Sequence, residues 1–314
     1  MACPSLLGAR PSARSLSSRA SLSPPAPRCA AAVVSRGRAG RLVTRAYTLV
    51  EERVVILTPS GPMHTLLLRP SVPGKFPGIV LYSEIFQTTG PIKRSAQFLA
   101  CHGFVVAVPD IYHEFEAPGT AFSYEGSEGV ARGNALKVEK TCAAYDADSA
   151  ASVASLRAHP CCTGAVGVTG FCIGGHLSFR AAMNVSVRSA ACFYATDLHK
   201  GSLGKGGDDS LARMGELAAH GTEMLMFFGR QDPHVPLEGR VKIAAALNSA
   251  GVNFSWHEVN GAHAFMRDEG SAGRYDGELA LACYSMVIAL FRRTLSGDAA
   301  APAGAAAGAG VSTH

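Results

Sequence analysis

Between residues 54 and 294 the chain alternates short apolar runs with longer stretches whose apolar residues recur at helical spacing. Continuous runs such as Phe104-Val105-Val106-Ala107-Val108 are what strands buried on both faces require. Such runs fall at 78–83, 104–109, 165–170, 190–196, 223–228 and 253–259. Two earlier segments, Val54–Pro59 and Met63–Arg69, flank Ser60-Gly61-Pro62 and predict an antiparallel pair. Helical patterns occupy about 91–102, 136–158, 174–184, 208–219, 238–250 and 277–294. Strands alternating with helices predict one α/β domain over residues 47–296. Its central sheet should be mostly parallel, of about eight strands, with helices on both faces. The longest interval without a strand, about 110–164, contains the glycine-rich stretch Tyr124-Glu125-Gly126-Ser127-Glu128-Gly129. That loop is expected at the mouth of any site, with Phe115, Phe122 and Tyr124 as lining candidates.

The two ends break the pattern. Residues 1–50 hold eight arginines and eight serines but no lysine and no acid. That composition marks an organellar transit peptide, expected over residues 1–46. Prolines at 4, 11, 24, 25 and 27 oppose a long amphipathic helix, which favours the chloroplast stroma over the mitochondrion. The N-terminal residue of the mature protein checks that expectation. Residues 297–314 are mostly Ala, Gly, Pro and Ser and are expected to form a disordered tail.

Charge and composition then narrow the function. The chain carries +5, and losing the eight N-terminal arginines leaves −3. The basic balance therefore belongs to the leader, and no nucleic-acid partner is expected. Nine irregularly spaced cysteines do not make a disulfide framework. His113-Glu114 lacks the second histidine of a zincin helix, so no metal site is expected. Neither a Walker motif nor a dinucleotide fingerprint is present, so no cofactor is expected. The most apolar late segment, Leu279 to Leu295, contains Arg292-Arg293 and reads as a terminal helix, not a membrane span. The chain is expected to act as a monomer.

The chemistry centres on Gly170-Phe171-Cys172-Ile173-Gly174-Gly175. An apolar run, Ala165 to Thr169, precedes it and a helix-compatible run follows. Strand, sharp turn and helix are the context of a nucleophile elbow, here with cysteine in place of serine. The helix start offers N–H groups and a positive dipole end, which favour a thiolate and a developing oxyanion. The other reading of this stretch is a glycine-rich turn carrying a buried structural cysteine. A nucleophile needs a base, and the base an orienting carboxylate. Asp232 follows the strand Glu223 to Phe228, and His263 follows the strand Asn253 to Val259. Both therefore sit at strand ends, in the hydrolase order nucleophile, acid, histidine. His234 and His257 are rival bases, although His257 lies within a strand pattern.

With these residues in place the chain resembles the dienelactone hydrolase family, the cysteine branch of the α/β-hydrolases, over roughly Val54 to Arg293. Further blocks carry the resemblance: Ser83-Glu84-Ile85-Phe86, Pro109-Asp110-Ile111-Tyr112, Ala117 to Ala121 and His263-Ala264-Phe265-Met266-Arg267. The resemblance implies an α/β-hydrolase fold, with Cys172 as nucleophile, His263 as base and Asp232 as its orienter. It implies an oxyanion hole from the N–H groups of Ile173 and Ile85, and a Glu84 that pairs with the resting thiol. Arg267 would hold a substrate carboxylate, with Tyr112 and Phe115 beside the substrate.

The family's second carboxylate-binding arginine should lie soon after Tyr112. This chain reads His113-Glu114-Phe115-Glu116-Ala117-Pro118 there, with two acids and no arginine. Carboxylate binding should weaken accordingly. Protonated His113 could replace part of the missing cation. The expected activity is hydrolysis of small esters or lactones through an acyl-enzyme. Other readings are a thioesterase or acyl transferase on a larger partner, a non-catalytic receptor, and a redox sensor resolved by Cys192 or Cys142.

Overall fold

The computed structural model describes residues 48–296, so the expected leader and C-terminal tail lie outside the described residues. Eight strands form one sheet: β1 (Leu49–Thr58), β2 (Gly61–Pro70), β3 (Phe76–Tyr82), β4 (Val105–Pro109), β5 (Cys162–Phe171), β6 (Val187–Phe193), β7 (Glu223–Gly229) and β8 (Phe254–Val259). Their order is β1-β2-β4-β3-β5-β6-β7-β8. β1 pairs antiparallel with β2, and β2 antiparallel with β4; every other pairing is parallel. The sheet is mixed and mostly parallel, as the apolar runs implied.

Both faces are covered, and the period-2 alternation of the strands shows how. Val80 and Tyr82 point into one core cluster while Ile79 and Leu81 point into the other. Val105 and Ala107 divide from Val106 and Val108 in the same way. The helices are α1 (Gly90–Cys101), α2 (Glu128–Glu139), α3 (Cys142–Ala158), α4 (Ile173–Ala181), α5 (Met214–His220), α6 (Leu237–Ser249) and α7 (Gly277–Leu295). α1 and α7 cover one face, through residues such as Leu99 and Phe291. The others lie on the opposite face, through Leu136, Val153, Leu177, Leu217 and Ile243. Among the described residues no helix is long and apolar enough to cross a membrane.

Three helix boundaries differ from the sequence expectation. The single helix expected over 136–158 is two, because Lys140 leaves helical geometry (ψ 138°) and Thr141 caps a new start by accepting from the Ala144 N–H at 3.1 Å. α2 begins at Glu128, inside the stretch expected as a loop. Gly133 lets it approach closely, since a Cβ there would collide with the carbonyl of Ile85. The helix expected over 208–219 starts only at Met214. Asp208 accepts hydrogen bonds from the backbone N–H of Ser210 and of Leu203, which holds the preceding residues in a loop.

Candidate active site

β5 ends at Phe171, and Cys172 turns the chain sharply into α4 with φ 60° and ψ −120°. Left-handed φ in a non-glycine residue is strained by about 1–3 kcal/mol and persists only where its surroundings enforce it. Here the Cys172 N–H donates to the Phe193 carbonyl at 3.1 Å, which ties the turn to β6. Side chains at Gly170 and Gly174 would strike the carbonyls of Gly174 and Tyr82, so these positions must be bare for the turn to close. Four other non-glycine residues with positive φ stand nearby in the fold: Gln87, Tyr194, Asp197 and Ala264. Each follows the carboxyl end of a strand or borders a residue at the site.

Asp232 and His263 arrive on the loops after β7 and β8. The loops are bound together, with the Gln231 N–H donating to the Gly261 carbonyl at 3.0 Å. His263 Nδ1 lies 2.8 Å from Asp232 Oδ2, and Asp232 Oδ1 accepts the His234 N–H at 2.8 Å. Both side chains are buried. Tyr194 packs edge-on against the His263 ring at 5.0 Å between centroids, fixing its plane. Burial by itself disfavours an imidazolium. The charge of Cys172 and the hydrogen bond that His263 donates to Asp232 outweigh that burial and push His263 up to about 10.

This raised value carries a stability consequence with a definite sign. A histidine whose pKa rises on folding contributes stability that is fully present below its unfolded value of about 6.5. The contribution is lost as pH climbs through about 10. Asp232→Asn keeps the shape and removes the charge. His263 should then titrate about 1–3 pH units lower, read from its imidazole resonances. An unmoved titration would mean that Asp232 does not stabilise the cation.

Cys172, His263, Glu84 and Ile85 line one cavity of about 280 Å³, together with Arg267 and Tyr124. The sulfur lies 3.8 Å from Thr196 Oγ1. Ile173 is the first residue of α4, so the helix leaves its N–H without an internal acceptor. Among the described residues the Ile85 N–H also has no acceptor. Glu84 is buried, and its Oε2 accepts from Arg267 Nη1 at 3.1 Å. The carboxylate expected at the thiol is thus paired with the cation expected at the substrate. Glu84 Oε1 is buried without a partner among the described residues.

Three expectations meet a different placement. Tyr112 is fully buried away from the cavity and donates its hydroxyl to the Gly133 carbonyl at 3.2 Å. Phe115 is half-buried against the core. His113 binds Asp148 at 3.0 Å, Glu114 meets Lys140 at 3.1 Å and Glu116 meets Arg132 at 2.7 Å. None of these five lines the cavity, so His113 does not stand in for the missing arginine and the two acids do not repel a bound anion. Of the rival bases, His257 stacks on Phe227 at 5.1 Å, within β8. His234 does line the cavity, ring against ring with His263 at 4.5 Å, and burial together with the His263 charge holds it low.

The sequence reading missed Thr196, Asp197, Lys200, Arg274 and one face of α2. Val130, Asn134 and Lys137 recur at helical spacing and face the cavity. Thr196 and Asp197 follow the end of β6, the same kind of position that drew attention to Asp232.

Comparison with known proteins bears on this geometry. The family model of the dienelactone hydrolase family matches residues 63–295. The chain belongs to the dienelactone hydrolase family. A provisionally named carboxymethylenebutenolidase of Saccharomyces cerevisiae is 41% identical over 227 residues, covering 71% of this chain and 82% of that protein. The carboxymethylenebutenolidase of Pseudomonas putida is 28% identical over 211 residues, covering 66% of this chain and 84% of its own. Among solved structures, a dienelactone hydrolase-like promiscuous phosphotriesterase from metagenomic libraries superposes with a TM-score of 0.64 at 18% identity. That alignment covers 79% of this chain and 99% of the other. At such identity it speaks to the fold alone, the α/β-hydrolase sheet.

Proposed function

We propose that this protein cleaves small esters or lactones with Cys172 as nucleophile. The observation that carries the reading is the elbow itself. A strained cysteine at a strand end shares one cavity with a histidine already paired to a buried aspartate. The Cys172 thiolate adds to the ester carbonyl, and the carbonyl oxygen takes the negative charge. The Ile173 and Ile85 N–H groups are the donors available to that oxygen. Collapse of the tetrahedral adduct expels the alkoxide, which takes the proton held on His263 Nε2. The acyl group is left as a thioester on Cys172. Neutral His263 then removes a proton from water, which attacks the thioester and releases the acid and the thiolate. For a lactone the alkoxide stays tethered, and the product is one hydroxy acid.

The redox reading has less support. Cys192 and Cys142 belong to the core on the opposite face from Cys172. Burial pushes the Cys142 thiol up to about 11 and Cys192 higher still, which makes both poor resolving thiols. The direct test is trapping. A slowly deacylating aryl ester should leave its acyl mass on the peptide containing Cys172 within seconds of mixing. Turnover with no acyl adduct at Cys172, or an adduct elsewhere, would remove the covalent reading.

A further inference from the structure

His176 is fully buried on α4, does not line the cavity, and has no part in the chemistry described above. Both of its ring nitrogens are nonetheless engaged. Nδ1 lies 2.9 Å from the Thr196 carbonyl, which can only accept, so the Nδ1 proton is donated there. Nε2 lies 2.8 Å from Ser210 Oγ. That hydroxyl also meets Asp208 Oδ1 at 2.5 Å and accepts from Arg180 Nη1 at 2.9 Å. A buried imidazole is costly unless it is partnered, and a fully partnered polar chain fixes one arrangement of its members.

What this chain fixes is Thr196. The segment after β6 has left-handed backbone at Tyr194 (φ 37°) and at Asp197 (φ 66°), so the residues between them do not hold their place by local preference. They are held from outside. The Tyr194 N–H donates to the Phe227 carbonyl at 2.7 Å, and Lys137 takes the Asp197 carboxylate at 2.7 Å. Between these anchors the Thr196 N–H donates to the Cys172 carbonyl at 3.4 Å, and the Thr196 carbonyl accepts from His176. Thr196 is thus tied across the first turn of α4, and its Oγ1 comes to 3.8 Å from the Cys172 sulfur. Among the described residues that sulfur is the one hydrogen-bonding neighbour of the hydroxyl. Either partner can donate while Cys172 is a thiol. Once Cys172 is a thiolate, the only proton in the pair is on Thr196.

We propose that Thr196 is a further catalytic residue, whose hydroxyl donates to the Cys172 thiolate, and that the buried His176 is the positioning residue that aims it. The part this plays in turnover rests on the hydrolase reading. During acylation the sulfur shares an electron pair with the carbonyl carbon, loses its charge and loosens its hold on the Thr196 hydroxyl. During deacylation the C–S bond breaks, the electron pair returns to sulfur, and the hydroxyl meets the charge that appears there. Thr196 keeps its proton throughout, and His263 moves the protons of the reaction. The hydroxyl favours thiolate over thioester, so it aids the second half of the reaction most.

Alkylation of the full chain by iodoacetamide reads the thiolate without any ester. Its rate at Cys172 is followed against pH by site-resolved mass spectrometry. The midpoint should lie about one pH unit higher in Thr196→Val, the size of one hydrogen bond to a charged acceptor. Thr196→Ser keeps the hydroxyl and should restore the wild-type midpoint. His263, His234 and the Glu84–Arg267 and Lys137–Asp197 pairs share the cavity with Cys172 and are the same in both variants. His176→Leu should move the midpoint in the same direction. His176→Asn presents an amide N–H where Nδ1 stood and should bring it back. Thr196→Val/His176→Leu should shift no further than Thr196→Val alone, because His176 acts through Thr196. Valine matches threonine in shape, so the Thr196 arm stands even if His176→Leu does not fold. An unmoved midpoint in Thr196→Val, or additive shifts in the double variant, would overturn the proposal. Loss of the acyl group from Cys172 after reaction with an aryl ester is followed beside these, and should be about tenfold slower in Thr196→Val. A moved midpoint with no acyl adduct at Cys172 would remove the hydrolase reading and leave the contact between Thr196 and the thiolate standing. An acyl adduct with an unmoved midpoint would do the reverse.

Discussion

Cys172→Ala is expected to lower kcat/KM for any accepted ester by about 10⁵ or more, to the level that binding and the oxyanion donors sustain alone. The side chain is small and the fold needs little from it. Its sulfur touches Thr196 at 3.8 Å and its charge supports the His263 imidazolium, so lost activity should be accompanied by only a small, pH-dependent loss of stability. Cys172→Gly sharpens that distinction. The residue sits at φ 60°, where glycine is at ease and any other residue is strained. The glycine variant should therefore be inactive yet melt no lower than the wild type. A melting temperature several degrees lower would mean that the turn is not strained, and that the elbow geometry is not maintained for reactivity.

The same substitution site predicts a pH signature. In the wild type His263 keeps its proton up to about 10, because the charge on Cys172 and the bond to Asp232 outweigh its burial. The alkaline limb of kcat should lie near that value, where the proton for the leaving group is lost. Cys172→Ser has no thiolate, so one support of the high value disappears and His263 should titrate lower. Residual activity in the serine variant should then rise with pH at a lower value than the wild type loses it. Coincident profiles would show that the sulfur at position 172 does not support the proton on His263.

Much of this site was legible because its parts are local. A strand, a positive-φ turn and a helix are encoded within about ten residues around Cys172. Asp232 and His263 each close a strand in the same way. Glycines at 170 and 174 were readable as bare positions, and the structure shows the carbonyls that require them. What was not legible depends on how one element faces another. α2 was hidden by Gly129 and Gly133, poor helix formers whose small size lets the helix approach Ser123 and Ile85 respectively. The cavity-facing row Val130, Asn134 and Lys137 therefore escaped notice. The break at Thr141 had a local signal, a capping residue ahead of an alanine-rich run, but the surrounding pattern stayed helical across it. Tyr112 and Phe115 could not be placed, because one aromatic in a loop serves a core or a pocket equally well.

The residues standing where the family's second arginine was expected have another task, and removing it should have a large effect. Lys140 is buried, with its side chain fully enclosed, and its ammonium lies between Asp148 and Glu114. Asp148 also holds His113 at 3.0 Å. His113, Glu114 and Asp148 are close enough to one another for metal ligands, but the Lys140 ammonium already reaches both acids. Lys140→Met keeps the volume and deletes the charge, which leaves buried acids without their cation. Breaking a buried pair from one side costs about 3–5 kcal/mol, measurable by urea unfolding at neutral pH. Acid should narrow the gap. Burial alone would raise Asp148, but His113 and Lys140 outweigh it and hold the carboxyl below its ordinary value. That contribution is present above the unfolded value of about 3.9 and is lost as pH falls through the lowered folded one. Once Asp148 is protonated the missing ammonium matters less, so wild type and variant should converge. A difference in stability that stays constant into acid would mean that the variant fails by packing, not by charge. The cluster ties the segment after β4 to α3, and α3 to β3 through the Tyr82 hydroxyl on Ser149 at 2.9 Å. β3 leads directly into Glu84 and Ile85, so the stretch after Tyr112 helps to hold the strand that delivers the floor of the site.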